Sequence, residues 1–302
     1  MTLPTARPVL SDVTVVIPTI GRQLLQGCLQ SIAAGRAWPA RVIVVDQGSN
    51  VEVVEWVRRA SGTGLCIDHV ASRERGAAAA RNRGFERVAT RFVAATDDDC
   101  LVAPDWLERM VACLREHSDS FVTGRVDGTA SDAGVASPSL MESDRAEVHT
   151  RPLLDRDPLY GNNMGFAVAT AARIGPMDER ECVRFAEDAE WSYRALRAGV
   201  PVRYAPDVIV RHVAWRSASE LAHTYRRYAH SQGAFYGSYI RRGDRFIVAR
   251  AAFDLARSPW LVLRGVATRN VELTAIGIAY VRALAPGILR GLRDDGGTRG
   301  SQ

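Results

Sequence analysis

Lysine is missing from this chain: all 39 basic side chains are arginine, a compositional bias from which no mechanism follows. Cysteine is sparse. The five residues Cys28, Cys66, Cys100, Cys113 and Cys182 are odd in number, scattered and without a C-x-x-C. That spacing argues against a disulfide framework or a structural zinc site, and it fits a reducing cytoplasm. Long apolar runs are lacking as well. The best, "LTAIGIAYV", is bounded by Glu272 and Arg282, short of the roughly 20 apolar residues that span a bilayer. The opening "MTLPTARPVLSD" has no continuous apolar segment of the kind a secretory signal needs. The expectation is therefore a cytoplasmic protein, peripheral at the inner face of the membrane if it meets one. Nor does the stretch after the first strand, "PTIGRQ", offer a Gly-rich phosphate loop or a G-x-G-x-x-G. Those absences argue against a sugar nucleotidyltransferase and a dinucleotide oxidoreductase.

What is present is ordinary globular material: 302 residues, 47% hydrophobic and 24% charged, which suits one large domain with an appendage. The net charge of +5 is uneven. From Arg203 onward there are 16 arginines against 7 acids, and before it 23 against 27, so the tail is basic and the body mildly acidic.

Through the first half, short β-branched runs alternate with helix-patterned stretches: "VTVVI" then "LLQGCLQSIAAG", "RVIVV" then "VEVVEWVRRA", "LCIDHV" then "AAAARNRGFERVA", "RFVAA" then "DWLERMVACLREH". Strands apolar on successive residues, with helices between, predict an α/β fold whose mostly parallel sheet is covered on both faces. The stretch from Asp127 to Pro158 is polar and without period, the kind of long segment that is functional or mobile. A helix over "AEDAEWSYRALRAG" with a glycine cap at Gly199 follows, then a strand over "PVRYAPDVIVRHV". From about Ala218 to Arg293 the pattern is helical and Arg-rich, and the final "DDGGTRGSQ" reads as disordered.

Ligands of such sheets sit beyond the carboxyl ends of the strands. Three of these ends carry polar or small residues: "PTIGR" (Pro18 to Arg22), "DQGS" (Asp46 to Ser49) and "TDDDC" (Thr96 to Cys100). Adjacent carboxylates repel, and a cation relieves the repulsion. A hard divalent ion takes one or two carboxylates and fills its other positions with water and phosphate oxygens, so the run suggests a metal carrying a diphosphate. In an extended chain Asp97 and Asp99 would face one side and Asp98 the other. Each motif has a plainer reading: "DDD" as a solvated turn, Asp46 as a turn former, "AAAARNRG" as a helix with an Arg face.

Six segments in order, "VTVVIPTIGR", "VIVVDQGS", "GAAAARNRG", "FVAATDDDCLVAPDWLE", "GNNMGFAV" and "EDAEWSYRALRAG", resemble the inverting GT-A glycosyltransferases of family 2 over about Val13 to His212. The resemblance implies a Rossmann-like GT-A catalytic domain over 1–215, with a nucleotide-sugar half to about residue 126 and an acceptor half from 127, followed by a helical extension over 216–302. It implies that Pro18, Thr19 and Gly21 line the base and ribose, with Gly48 and Ser49 nearby, and that Asp46 accepts a hydrogen bond from the base. Arg81, Asp97 and Asp98 would approach the nucleotide, and Asp99 would bind Mg²⁺ or Mn²⁺ with His212. Where many relatives have a fourth acid, this chain has Cys100, leaving the metal fewer carboxylates. Asp188, the second acid of "ED", would be the general base, ionised at a helix N-terminus. Glu187, Asn162, Asn163, Met164 and Trp191 would shape the acceptor and sugar pocket, although "GNNMG" also reads as a loop or helix cap and the acids as good first-turn residues.

The implied activity is metal-dependent transfer from a nucleoside-diphosphate sugar, with UDP-sugar as default, to an acceptor hydroxyl of a glycan, a lipid-linked sugar or a small molecule. Loss of catalysis, leaving a nucleotide-sugar or lipid-surface module, is the alternative. The basic helices have an apolar face that packs on the catalytic domain or on a second subunit to make a homodimer, or that rests on anionic lipid. No nucleic-acid motif accompanies their arginines.

Overall fold

The computed structural model describes residues 7–128, 140–213 and 217–294. They divide into two compact units. The first holds the sheet: Met1–Pro152, Pro158–Met177 and Trp191–Trp215. Its elements begin with β1 (Val9–Thr19), α1 (Leu25–Ala34), β2 (Trp38–Asp46), α2 (Val51–Ser61), β3 (Ile67–Ala71), α3 (Ala77–Phe85) and β4 (Phe92–Thr96). They continue through β5 (Cys100–Val102), α4 (Trp106–Glu116), β6 (Phe121–Gly128), β7 (Glu147–His149), β8 (Asn163–Ala167), α5 (Val168–Ile174), the helix α6 (Glu187–Arg197) from Trp191 onward, and β9 (Val202–His212).

Among the described residues the strands form one sheet in the order β3-β2-β1-β4-β8-β6-β9-β5, with β7 on β9. The strands β3, β2, β1 and β4 are parallel, and β8 enters antiparallel between β4 and β6. This is the expected α/β sheet, and its continuous apolar strands are explained by cover on both faces. Along β1, Val13, Val15 and Ile17 point into a core with Leu25 and Leu29 of α1, Val53 of α2 and Met110 of α4. Val16 points the other way, into a core with Ala80 of α3 and Trp191 of α6, the alternation a pleated strand imposes. The segment "GNNMG", whose plainer reading is a loop or helix cap, contributes its last three residues to β8. In the polar stretch after Asp127, Met141 pairs with Val126 and Glu147–His149 forms β7, while residues 129–139 lie outside the described residues.

The second unit takes Leu153–Asp157, Asp178–Glu190 and Arg216–Gln302. It contains α7 (Ala218–Arg241), α8 (Arg245–Ala267) and α9 (Val271–Arg293); the end expected to be disordered lies beyond the described residues after Asp294. Two segments assigned from sequence to the catalytic domain therefore group with the helices. Polar bonds explain this. Both terminal nitrogens of buried Arg250 donate to Asp157 at 2.7 Å, and Tyr239 donates to Glu190 at 2.7 Å. The helices are capped by Ser217 with Glu220, by Asp244 and by Asn270, each satisfying amide donors of a first turn.

Two glycine pairs, Gly233 and Gly237 of α7 and Gly287 and Gly291 of α9, bring these helices into backbone contact. A Cβ on Gly233 would lie 2.2 Å from the Leu284 carbonyl oxygen, and one on Gly287 would lie 2.1 Å from that of His230. Helix α9 also corrects a sequence expectation. It runs unbroken past Arg282 and is long and apolar enough, by length and composition, to cross a membrane, although part of it is buried inside the unit.

Candidate active site

Parallel pairing sets Thr19 at the end of β1 beside Asp46 at the end of β2. Beyond β4 the chain turns rather than staying extended: the Cys100 amide donates to the Asp97 carbonyl at 3.1 Å. This turn overrides the alternation expected for the three aspartates. Asp98 is not turned away from Asp99. One terminal nitrogen of Arg22, Nη1, lies 2.6 Å from Asp98 and 3.5 Å from Asp99. Thr19 also donates its hydroxyl to Asp98, at 2.6 Å. Asp97 is held separately, by Arg81 at 2.7 Å.

Two arginines thus make three adjacent acids tolerable at the end of a core strand. The tolerance has a limit. Burial, with Asp99 and Asp97 nearby and in spite of Arg22, pushes the Asp98 carboxyl up to about 6. Arg22 is a residue that sequence reasoning quoted within "PTIGR" and did not single out; its offset of three from Thr19 on a strand exit was the available signal.

His212 reaches the same place from the other end of the sheet. Antiparallel pairing sets it opposite Cys100, and the Val213 amide donates to the Asp99 carbonyl at 2.9 Å. Its Nε2 lies 3.4 Å from Asp99 Oδ1. Ligand atoms of Asp99, Cys100 and His212, all buried, lie within 4.8 Å of one another. The group offers oxygen, sulfur and nitrogen donors at a spacing one ion could bridge, so these residues fit a divalent metal. Burial, followed by the Asp99 and Asp97 charges, pushes the Cys100 thiol well above its ordinary range, so without a metal it is a neutral thiol.

The other expected donor contacts fall differently. Pro18 is buried, Gly48 and Ser49 are exposed, and Gly21 and Ser49 have left-handed φ of 89° and 51°. Asp46 is tied into its own turn. Its carboxylate has no exposed surface and accepts from the Gly48 amide at 2.8 Å and the Asn50 amide at 3.1 Å, with His69 Nε2 at 3.2 Å. It shapes the turn that carries Gly48 and Ser49.

The sugar-pocket set also divides. Asn162 accepts the Thr96 hydroxyl on its backbone carbonyl at 2.9 Å, and its buried Oδ1 has no hydrogen-bond partner among the described residues. At the preceding Gly161, a Cβ would meet the Arg81 guanidinium at 2.9 Å. These two residues therefore flank the arginine–aspartate cluster. Asn163 fastens the sheet: it donates to the carbonyls of Arg125 and Val208 at 2.9 and 2.8 Å and accepts from Trp106 at 2.9 Å. Met164 is fully buried. Trp191 sits in an aromatic core, 4.6 Å from Phe121 and 5.2 Å from Phe166 between ring centres. Both side chains belong to the core on that face of the sheet.

Asp188 and Glu187 begin α6 and belong to the helical unit. Asp188 is half-buried and accepts the Ala189 amide at 2.8 Å; Glu187 is buried. The positive end of the helix favours their ionised forms.

Residues 14–173, more than half of the chain, match the family model "Glycosyl transferase family 2". The chain belongs to glycosyl transferase family 2. It is a glycosyltransferase, and the matched stretch holds Thr19, Arg22, Arg81 and the three aspartates, while Asp188 and His212 lie beyond it. Among curated relatives, "Glycosyltransferase AglE" of Haloferax volcanii is 27% identical over 67% of this chain and 67% of its own length. The "Pre-mycofactocin glycosyltransferase" of Mycobacterium tuberculosis is 29% identical over 69% of this chain and 44% of its own length. Solved structures share the fold. A Pyrobaculum calidifontis mannosyltransferase determined with GDP-Man and Mn²⁺ aligns over 97% of this chain and 89% of its own, with TM-score 0.61 and 20% identity. A TarS fragment of S. aureus determined with UDP aligns over 89% and 90%, with TM-score 0.54 and 15% identity. The GT-A architecture of this family 2 glycosyltransferase is thereby established.

Proposed function

We propose that this glycosyltransferase is a metal-dependent inverting enzyme that moves a sugar from a nucleoside-diphosphate sugar to an acceptor hydroxyl. The observation that carries the reading is the buried meeting of Asp99, Cys100 and His212 beside the Arg22–Asp98 pair. Asp99 and His212 would hold the ion, with Cys100 as a third donor. When bound, a divalent ion supplies charge stabilisation to the departing diphosphate. Imidazole and thiol donors favour Mn²⁺ over Mg²⁺. Arg81 and Arg22 set the acids in place and present positive charge to phosphate oxygens. Asn162, with its unpartnered carbonyl oxygen, is the group best suited to meet a sugar hydroxyl.

In a single displacement the acceptor oxygen bonds to the anomeric carbon as the bond to diphosphate breaks, and the acceptor proton passes to Asp188. Support for Asp188 comes from its place in "EDAEW" and from its position in the first turn of a helix, where the dipole favours a carboxylate. UDP is the default nucleotide, and GDP is the competitor because a structurally similar mannosyltransferase was determined with GDP-Man. The acceptor class is a cell-envelope polysaccharide, a glycolipid or a natural product.

Peripheral contact with an anionic membrane fits α8, whose Trp260, Leu263 and Val266 are exposed beside Arg264. The deciding experiment mixes the purified protein with Mn²⁺ or Mg²⁺ and UDP- and GDP-sugars, and follows nucleotide release. Metal-dependent release that is lost in Asp188→Asn, with nucleotide binding retained, supports the reading. Normal turnover by that variant removes Asp188 from the mechanism.

A further inference from the structure

The helical unit contains a cleft of about 520 Å³ formed by the segment around Glu181, by α7 and by α9, a volume in the range of small-ligand sites. Its walls are cationic. Helix α7 contributes His223, Arg226, Arg227 and His230, and α9 contributes Arg282 and Arg290. The spacing is that of one helical face on each side: offsets of three, four and seven from His223, and of eight between the two α9 arginines.

Glu181 is the acid in the lining, and its carboxylate is paired with Arg184 at 3.3 Å. Arg226, Arg282 and Arg290 pair with no described carboxylate, in contrast to exposed arginines of the sheet unit such as Arg58 and Arg59, both held by Glu55 at 2.9 Å. Arg227 stacks over the Phe185 ring at 3.9 Å, which fixes its guanidinium plane at the cleft wall. The glycine contact between α7 and α9 begins beside these residues, at His230 and Gly287, so the walls are set by backbone packing. Like charges gathered on facing walls are stabilised by an anion, and guanidinium groups match phosphate oxygens in pairs.

We propose that this cleft binds the phosphate or diphosphate group of a second ligand, distinct from the sugar donor. The group could belong to a soluble phosphorylated molecule or to the headgroup of a lipid. If this ligand is the acceptor, that use rests on the transferase reading above; the binding does not.

The test therefore needs no turnover. Full-length protein carrying Asp99→Asn, without divalent metal, is titrated calorimetrically with inorganic diphosphate at low salt, and floated with vesicles of phosphatidylglycerol or of phosphatidylcholine. Binding is expected in at least one arm. Diphosphate binding assigns a soluble source, and binding to phosphatidylglycerol alone assigns a lipid one. Adding Arg226→Gln with Arg282→Gln should weaken it by about tenfold or more, from the loss of two charge-assisted contacts. Arg58→Gln with Arg59→Gln should leave it unchanged, and circular dichroism should show each variant folded. Absence of binding in every arm overturns the proposal. So does equal binding by the cleft variant, or equal weakening by the control pair.

Discussion

The Nη1 of Arg22 lies 2.6 Å from Asp98 Oδ1, joining the exit of the first strand to the middle acid of "DDD". Asp98 is buried and Arg22 partly exposed. Replacing Arg22 by Met would leave a buried carboxylate without its cation, and after allowance for the solvent at Arg22 the loss should be about 2 kcal/mol. Urea denaturation at pH 7.5 measures it, and a change under ~0.5 kcal/mol would show the pair to be incidental to stability.

The same acid sets a pH dependence. Its folded pKa of about 6 stands above the ordinary 3.8, so between these values the native state binds more protons than the unfolded chain. The Asp98 contribution is therefore fully present below pH ~4 and is lost as pH rises through about 6. In metal-free protein the stability of wild type relative to Asp98→Asn should fall across that window by up to roughly 3 kcal/mol. Thermal melts at pH 4 to 7 follow the difference; a flat difference would mean that Asp98 titrates normally.

In the helical unit, Arg250 is 3% exposed and makes a two-pronged pair with Asp157. Asp157→Ala strands that guanidinium and should cost about 3–5 kcal/mol. The double change Asp157→Leu with Arg250→Met should restore part of the loss, because it removes both charges of the pair, while buried Asp254 keeps Tyr236 and Arg257 as partners. Denaturant midpoints of the three variants decide it.

Thiol chemistry should follow exposure. Cys66 is exposed, whereas Cys28 and Cys100 are buried, and burial pushes both of those thiols well above their ordinary range. At pH 8 a disulfide reagent should label Cys66 rapidly and reach Cys28 and Cys100 only on unfolding. Cys113, of intermediate exposure, should react more slowly than Cys66, and rapid labelling of Cys28 or Cys100 in the folded Cys66→Ser, Cys113→Ser protein would contradict their burial.

Much of the sheet was legible because its strands are apolar on successive residues and its helices are amphipathic. "VTVVI", "RVIVV" and "RFVAA" all become central parallel strands. The meeting of Asp99 with His212 was anticipated only through family resemblance, since 113 positions separate them and strand order is not a local property. Periodicity could not show that Asp97–Cys100 turns, nor that Asp46 spends its carboxylate on its own turn, because both outcomes depend on short backbone bonds. The bonds of Asn163 to the sheet and the aromatic packing of Trp191 were hidden for a related reason: a polar or aromatic residue near a motif looks the same in sequence whether it faces a ligand or fastens the core.

The glycine seam of α7 and α9 has a mechanical consequence. With no side chains between Gly233 and Gly287, a shift of either helix by one residue would drive a Cβ into a facing carbonyl, for a new Cβ at Gly287 would stand 2.1 Å from the His230 oxygen. The two helices cannot slide past each other as lubricated rods; they are keyed like a ratchet with one tooth. Whatever enters between their arginines meets walls of fixed separation, and the bore is determined by four missing methyl groups.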